Sequence, residues 1–353
     1  MAVNTSRTAD WDGLMSSTLE NVRGSFADNI WNGRPLHAWL FKKGRRRMVD
    51  GGTEIVEPLV YAAGNSGWYG EDDIIDVQKT AGHSAASFPW AALYGTVYIT
   101  GREKLMNSGK EQAINLLDAR VTQASETMKS DLSTAAFADT PASADTMFGL
   151  GYLINNAAGD GSADPGGIDA ATNSFWNSVV KDGTASTGDF GAAGLNTGEL
   201  VRKAIRTARN EASDSGNDRC DAAFTDLATY EAVEDSFTQQ VRYEDVDSAN
   251  AGFENVEVSK MPLFWDFDCT ADTVFGINSK YLQVVGHSDR WMEHSGFTKN
   301  PLDGTYDSGQ PSGAGTGSVG GVRDAQYDII TSLLQMTTRN RRRHFRINNV
   351  SIA

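Results

Sequence analysis

The chain is short of several things. In 353 residues there are two cysteines, Cys220 and Cys269, eight prolines and five histidines. Two cysteines are too few for the framework of a small secreted protein, and neither has the Cys-x-x-Cys neighbour that a structural zinc site uses. Both are expected as buried thiols, since a free cysteine packs as a small hydrophobe. No apolar run approaches the ~18 residues of a membrane span. The opening Met1-Ala-Val-Asn-Thr-Ser-Arg has no apolar stretch, so no secretory leader is expected. Basic residues are outnumbered: 31 Lys+Arg face 46 Asp+Glu, for a net charge of −15. A surface of that sign argues against a protein that grips nucleic acid all over. With 40% hydrophobic residues, the chain is too apolar to be disordered. It is long enough for one large core or two domains.

What basic charge there is lies in two places. Residues 32–50 carry Arg34, Lys42, Lys43, Arg45, Arg46 and Arg47 against Asp50. Residues 339–353 carry Arg339, Arg341, Arg342, Arg343 and Arg346 with no acid. Each segment is net +5, which leaves −25 on the rest of the chain. Two readings are open: solvated faces, or arginines that neutralise an acidic partner. That partner would be another copy of this mostly acidic chain, or packaged nucleic acid.

Leu19, Val22, Phe26, Ile30 and Trp31 have helical spacing, ended by Asn32-Gly33 and then Pro35. Residues 53–100 read as strands. The run from Glu54 to Tyr61 contains Pro58 and suits an edge. Residues 93–100 are rich in β-formers. Between them lies a polar middle with Glu71, Asp72, Asp73 and Asp76. Together these predict a long hairpin projecting from a body. Ser108-Gly109-Lys110-Glu111 then fits a capping box. Ile114, Leu117, Val121, Ala124, Met128, Leu132 and Ala135 follow at helical steps, until Asp139-Thr140-Pro141. The stripe is too Ala-rich for a heptad seam. It predicts one helix of about 30 residues, ~45 Å long, laid across a sheet.

Residues 142–197 are rich in Gly, Ala, Asp, Asn and Ser. A basic amphipathic helix is predicted at 200–210, a strand at 220–224 and a helix at 227–237. Short strands are predicted at 253–260, 262–267, 273–277 and 281–285. A low-complexity loop at 300–321 precedes two extended segments, 325–334 and 344–352, which flank the arginine run. The fold class is α+β.

Motifs for chemistry are weak. Gly315-Thr316-Gly317-Ser318-Val319-Gly320 matches G-x-G-x-x-G, but without the strand before it and helix after it that a dinucleotide site requires. Asp266 and Asp268 could present two carboxylates on one strand face, or belong to a turn before Cys269. His37, His83, His287, His294 and His344 show no zinc spacing. Gly82-His83-Ser84-Ala85-Ala86 lacks the second glycine of a nucleophile elbow. No catalytic residue, cofactor or metal site is predicted, and the chain is not expected to be an enzyme.

An ordered set of motifs covers most of the chain. It begins with Gly51-Gly52-Thr53-Glu54-Ile55-Val56-Glu57-Pro58-Leu59, Gly67-Trp68-Tyr69, Phe88-Pro89-Trp90, Ile99-Thr100-Gly101-Arg102-Glu103 and Asn107-Ser108-Gly109-Lys110-Glu111. It continues with Gly167-Ile168-Asp169-Ala170-Ala171-Thr172-Asn173, Thr225-Asp226-Leu227-Ala228-Thr229-Tyr230, Pro262-Leu263-Phe264-Trp265-Asp266-Phe267-Asp268-Cys269 and Asn278-Ser279-Lys280-Tyr281-Leu282. The set resembles tailed-bacteriophage major capsid proteins with the Hong Kong 97-type capsid fold. The resemblance implies an N-terminal arm at 1–49, an extended loop at 50–97, and a peripheral domain with a spine helix at 98–141. It implies an axial domain at 142–322 and returning peripheral strands at 323–353.

The function implied is self-assembly, through hexamers and pentamers, into an icosahedral virion shell around double-stranded DNA. Assembly would take place in the host bacterial cytoplasm, with portal, decoration and separate scaffolding proteins as further partners and no membrane. A cellular nanocompartment shell enclosing enzymes is the alternative. Candidate inter-subunit contacts are Arg45, Arg46, Arg47, Trp68, Tyr69, Ile74, Lys79, Arg339, Arg341, Arg342, Arg343 and Arg346. Lys79 is the one lysine of the extended loop and so its one candidate for a covalent cross-link, although noncovalent stabilisation is expected.

Overall fold

In the computed structural model the described residues are 34–75, 77, 81–100, 102–103, 110–143, 145–155, 164–170, 172–191, 194–214, 218–237, 255–294 and 325–352. The expected helix at 18–31, Lys79, the capping-box residues Ser108 and Gly109, and the 300–321 loop with its glycine motif lie outside them.

The elements, in chain order, are α1 (Pro35–Lys42), β1 (Arg46–Val49), β2 (Glu54–Val60), β3 (His83–Pro89), β4 (Ala91–Thr100) and α2 (Lys110–Phe137). Then come α3 (Leu150–Leu153), β5 (Val179–Asp182), α4 (Gly198–Ala212), β6 (Ala222–Thr225) and α5 (Leu227–Asp235). The chain closes with β7 (Asn255–Glu257), β8 (Pro262–Trp265), β9 (Val274–Ile277), β10 (Leu282–His287), β11 (Glu293–His294), β12 (Ala325–Thr338) and β13 (Phe345–Asn348). The predicted mixture of helices and strands is thus observed.

Two compact units divide the chain. The described residues of one fall within Ala92–Leu132 and His287–Leu333. The other comprises Arg34–Ala91, Ser133–Gly286 and Leu334–Ala353.

In the first unit, β4 and β11 both pair with β12. Helix α2 is 28 residues long, hence ~42 Å. It buries Val121, Ala124, Met128 and Leu132, as the spacing predicts. Its end differs: Ala136 and Phe137, not Ala135, take the buried stripe onward. The period of 3.6 drifts against a strict 3-4 step, and that rotates the face. Gly95 of β4 lies so close to Met128 that a Cβ there would overlap its sulfur.

The second unit is built on a six-stranded sheet, ordered β5-β13-β9-β6-β8-β7. On one side α4 buries Val201, Ala204, Ile205, Ala208 and Ala212. These pack with Val179, Leu263, Val274, Phe345, Ile347 and Val233 in one core. On the other, Trp39 of α1 meets Phe224 edge-on at 5.9 Å, Phe224 stacks on Phe264 at 5.4 Å, and Phe137 lies 6.0 Å from Phe275. Gly276 is opposite Phe345 in the register, and a side chain there would occupy the Phe345 ring. Cys220 and Cys269 are free and buried, as expected; burial pushes the Cys220 thiol up to about 12.

Asp266 and Asp268 follow β8 in a turn, so the two carboxylates do not share a strand face. Asp266 is buried and its Oδ1 accepts from the Asp268 amide at 3.2 Å, while Asp268 pairs with Arg34 at 3.0 Å. Among the described residues no group of three metal-ligating side chains converges, and no helix is long and apolar enough to cross a membrane.

His344 is fully buried. Its Nδ1 accepts from the Asn278 amide at 3.2 Å, which leaves the proton on Nε2, 3.1 Å from the Thr338 hydroxyl. Burial first, then the Arg341 charge, pushes this imidazole from 6.5 down to about 3. Between those values the unfolded chain binds the extra proton. Stability contributed by His344 is therefore complete above pH 6.5 and lost as pH falls, by at most about 1.4 kcal/mol per pH unit. Asp266, which burial raises to about 6, titrates with the opposite sign in the same range. The readout is therefore a difference between proteins. In urea unfolding from pH 7 to 4, His344→Gln is expected to lose less stability on acidification than wild type, and parallel curves would contradict this.

Candidate self-association surface

β2 and β3 form a separate two-stranded antiparallel ribbon with Ile55 opposite Phe88, Glu57 opposite Ala86 and Val60 opposite His83. The expected hairpin is present, but its return strand is residues 83–89, not 93–100. The run His83-Ser-Ala-Ala-Ser carries little β-propensity and concealed the strand. The β-rich 93–100 run lies in β4, which pairs with β12. Pro58 costs little here, since each strand of a ribbon keeps one open edge.

Alternation along β2 is strict: Ile55, Glu57 and Leu59 are buried, while Glu54, Val56, Pro58 and Val60 face outward. The inner face also holds Ala86 and Phe88, and Phe88 meets Phe148 at 6.3 Å. At the root Trp90 Nε1 donates to the Gly52 carbonyl at 2.8 Å, and Gln335 Nε2 donates to the Pro89 carbonyl at 2.9 Å. Beyond the strands Tyr61 stacks on Phe175 at 4.7 Å.

Past that contact the loop has no cover. Residues 63–75 and 77 are all exposed. Trp68 is 104% exposed, Ile74 97%, and Tyr69, Ile75 and Val77 also face solvent. Burying an aliphatic or aromatic side chain of this kind is worth about 1.5–3 kcal/mol. A lone chain forgoes that stabilisation at five neighbouring positions.

Glu57 is the charged residue on the buried face of the ribbon, with no solvent exposure. Its Oε1 lies 3.0 Å from Arg47 Nη1 and accepts from Gln283 Nε2 at 2.7 Å, and its Oε2 accepts from Arg339 Nε at 2.7 Å. One carboxylate thus ties the ribbon to β1, to β10 and to the end of β12.

The arginine clusters divide into internal and external residues. Arg341 is completely buried: Nε donates to the Leu153 carbonyl at 2.7 Å, Nη2 to the Asn155 carbonyl, and the guanidinium lies 5.7 Å from the Trp176 ring. Burial lowers it to about 10, so it stays charged at neutral pH. Arg346 is buried against Asp139 at 2.7 Å and the Gly151 carbonyl, with its guanidinium over Phe275. Arg343 pairs with Asp214 at 2.8 Å and Asp218 at 3.4 Å, both in its own chain. This corrects the expectation that Arg341, Arg343 and Arg346 meet a neighbouring subunit: carbonyls and carboxylates of the same chain hold them.

Arg47 is half-buried and Arg339 exposed, and both are engaged with Glu57. Arg45 is half-buried, while Arg46, near the Phe41 ring at 5.8 Å, and Arg342 are exposed. Among the described residues, the exposed members of the expected contact set are Trp68, Tyr69, Ile74, Arg46, Arg339 and Arg342. Sequence reasoning missed Glu57 and Gln335. An acid alternating with Ile55 and Leu59 on a strand was the available signal for the first.

Comparison with solved structures gives the fold. The chain from the Cyanophage A-1(L) capsid asymmetric unit superimposes with a TM-score of 0.56 at 16% identity, covering 87% of this chain and 91% of that one. The capsid of a native GTA particle gives 0.53 at 10% identity, with 87% and 89% covered. A chain of Mycobacterium phage Cain gives 0.51 at 13%, with 85% and 84% covered. No protein-family model matches the chain. No curated protein sequence matches it. The chain has the mixed α and β fold of phage capsid proteins.

The two kinds of arginine should behave differently. Removing one partner of a buried charged contact costs about 3–5 kcal/mol, whereas an exposed charge costs little. Arg341→Glu is expected to abolish folding of the monomer, while Arg342→Glu leaves its unfolding midpoint nearly unchanged. Circular dichroism melts of the two variants check this.

Proposed function

We propose that the chain is the major capsid protein of a tailed phage, of the Hong Kong 97 type, and a structural rather than a catalytic protein. It self-assembles through hexamers and pentamers into an icosahedral shell around double-stranded DNA. The observation that carries this reading is the uncovered tip with its apolar side chains, residues 68–75 and 77, on a ribbon rooted by a buried charge cluster. Such a tip has a use only when a neighbour covers it. The capsid-protein fold supports the same conclusion.

In this reading residues 1–49 are the arm, 50–97 the extended loop, 98–141 the peripheral domain with α2 as spine, and 142–322 the axial domain. The 323–353 segment returns to the peripheral domain as β12. Its last strand, β13, hydrogen-bonds with β5 and β9 and so joins the axial sheet. The acidic balance of the chain suits a container that must release its contents, and residue 79 makes no covalent link to a neighbour.

Electron microscopy of the purified chain is expected to reveal closed particles, and native particles to protect DNA from nuclease. Particles that hold enzymes instead of DNA would favour the nanocompartment, and failure to form particles would refute both. Deleting residues 68–77 is expected to leave soluble, folded capsomers that do not close. Sedimentation velocity and negative-stain images check that outcome, and normal shells from the deletion variant would contradict the role given to the tip.

A further inference from the structure

The head of α1 meets the turn that follows β8 across a buried seam. The turn itself is fixed. The Asp266 amide donates to the Thr225 carbonyl at 2.9 Å, the Cys269 amide to the Asp266 carbonyl at 3.2 Å, and the Thr270 hydroxyl to the Phe137 carbonyl at 3.3 Å. The far end of α1 is fixed too. Trp39 packs on Phe224, and the Gly44 and Arg45 amides close the last turn on the Phe41 and Leu40 carbonyls at 2.9 and 3.0 Å. Less holds the first turn. Arg34 at the N-cap makes no side-chain cap, and Pro35 has no amide to offer. The positive end of the helix faces Asp266 instead, whose carboxylate accepts from the Leu36 amide.

Charge across the seam is uneven, because one guanidinium faces two carboxylates. Arg34 reaches Asp268 at 3.0 Å, with its guanidinium 6.0 Å from the Phe267 ring. Asp266 has no ion-pair partner among the described residues. It is 1% exposed, and its Oδ2 has no hydrogen-bond partner; Arg34 Nε is buried and unpartnered as well. Around the adjacent Cys269 stand Asp226, Arg346 and Asp139, the last two paired at 2.7 Å, and His37 is buried further along α1. Burial raises the Asp266 carboxyl from the ordinary 3.8 to about 6, while the two amides and Arg34 pull the other way. With the proton on, Arg34 and Asp268 balance. With it off, the seam holds a buried anion with one empty oxygen, which is costly.

We propose that this seam is a pH-operated hinge: the first turn of α1, Arg34 to Leu36, stays seated while Asp266 holds its proton and lifts more readily once the proton has left. Lifting lets water reach the carboxylate, so the ionised form favours the open state and the protonated form the closed one. The hinge therefore tightens at mildly acidic pH and loosens at neutral pH. In the capsid reading the seam ties the arm, residues 1–49, to the axial sheet, but the hinge stands without that reading.

Hydrogen exchange of the full-length chain, corrected for intrinsic rates, tests it. The Leu36 and Ala38 amides report on the hinge, since Ala38 donates to the Arg34 carbonyl at 3.0 Å. With a carboxyl near 3.8 when open and about 6 when closed, opening at these amides is expected to rise about tenfold from pH 5 to pH 8. The Phe224 amide is expected not to follow. In Asp266→Asn the rise is expected to vanish. In Arg34→Gln its midpoint is expected to move up, because the charge that holds the Asp266 carboxyl down is gone. That shift keeps the test decisive if Asp266→Asn does not fold. A flat wild-type profile, the wild-type rise in Asp266→Asn, or an unmoved midpoint in Arg34→Gln would each overturn the hinge. A parallel rise at Phe224 would make the opening global and overturn it too. Opening that grows on acidification would assign the response to His37, with the same result.

Discussion

A carboxylate without solvent needs opposite charge close by, and Glu57 has two guanidiniums and an amide on its two oxygens. Stripped of those partners it would cost several kcal/mol; with them it links β2 to β1, β10 and the end of β12. A two-stranded ribbon is marginal on its own in water. Here its inner face is apolar enough to pack, through Ile55, Leu59 and Phe88, and the single charged residue on that face sets its position. Everything beyond Val60 depends on that anchor. The Gln335 side chain strengthens the same base. Its amide nitrogen holds the Pro89 carbonyl, and its oxygen accepts from the Phe148 amide at 2.7 Å.

Much of the architecture was legible in the residues. The stripe from Val121 to Leu132 located the long helix because that side of α2 is buried there. The short strands from 255 to 287 were legible because each is a brief β-rich run bounded by turn residues. β3 was not, because Ser and Ala at 84–87 carry no strand preference, and only the pairing with β2 makes them extended. The arginines show a different limit. Charge can be counted in a sequence, but carbonyl cages cannot. Leu153 and Asn155 meet Arg341 across more than half the chain, and no local pattern announces it. Of the 339–346 cluster, Arg342 is a solvated charge, while Arg341, Arg343 and Arg346 pair with carboxylates or donate to carbonyls of the same chain.

The candidate surface was more legible than its support. Aromatic and aliphatic residues in a polar, acidic loop are conspicuous, and Trp68, Tyr69 and Ile74 are as exposed as that pattern implied. What fastens the loop consists of a few buried polar groups drawn from distant segments. The same division holds for function. The fold is that of phage capsid proteins, and the chain's own distinctive feature is apolar surface held outward on a charge-locked ribbon.

The position of β13 has a consequence for how the protein is made. This strand lies between β5 and β9, inside the six-stranded sheet, yet it is translated after every other described strand. Until residue 348 has left the ribosome, β5 and β9 have a gap between them, and Gly276 waits for the ring of Phe345. The sheet therefore closes only after the segment carrying β13 has emerged. Without β13 the sheet would lose its link between β5 and β9, leaving strand edges open there.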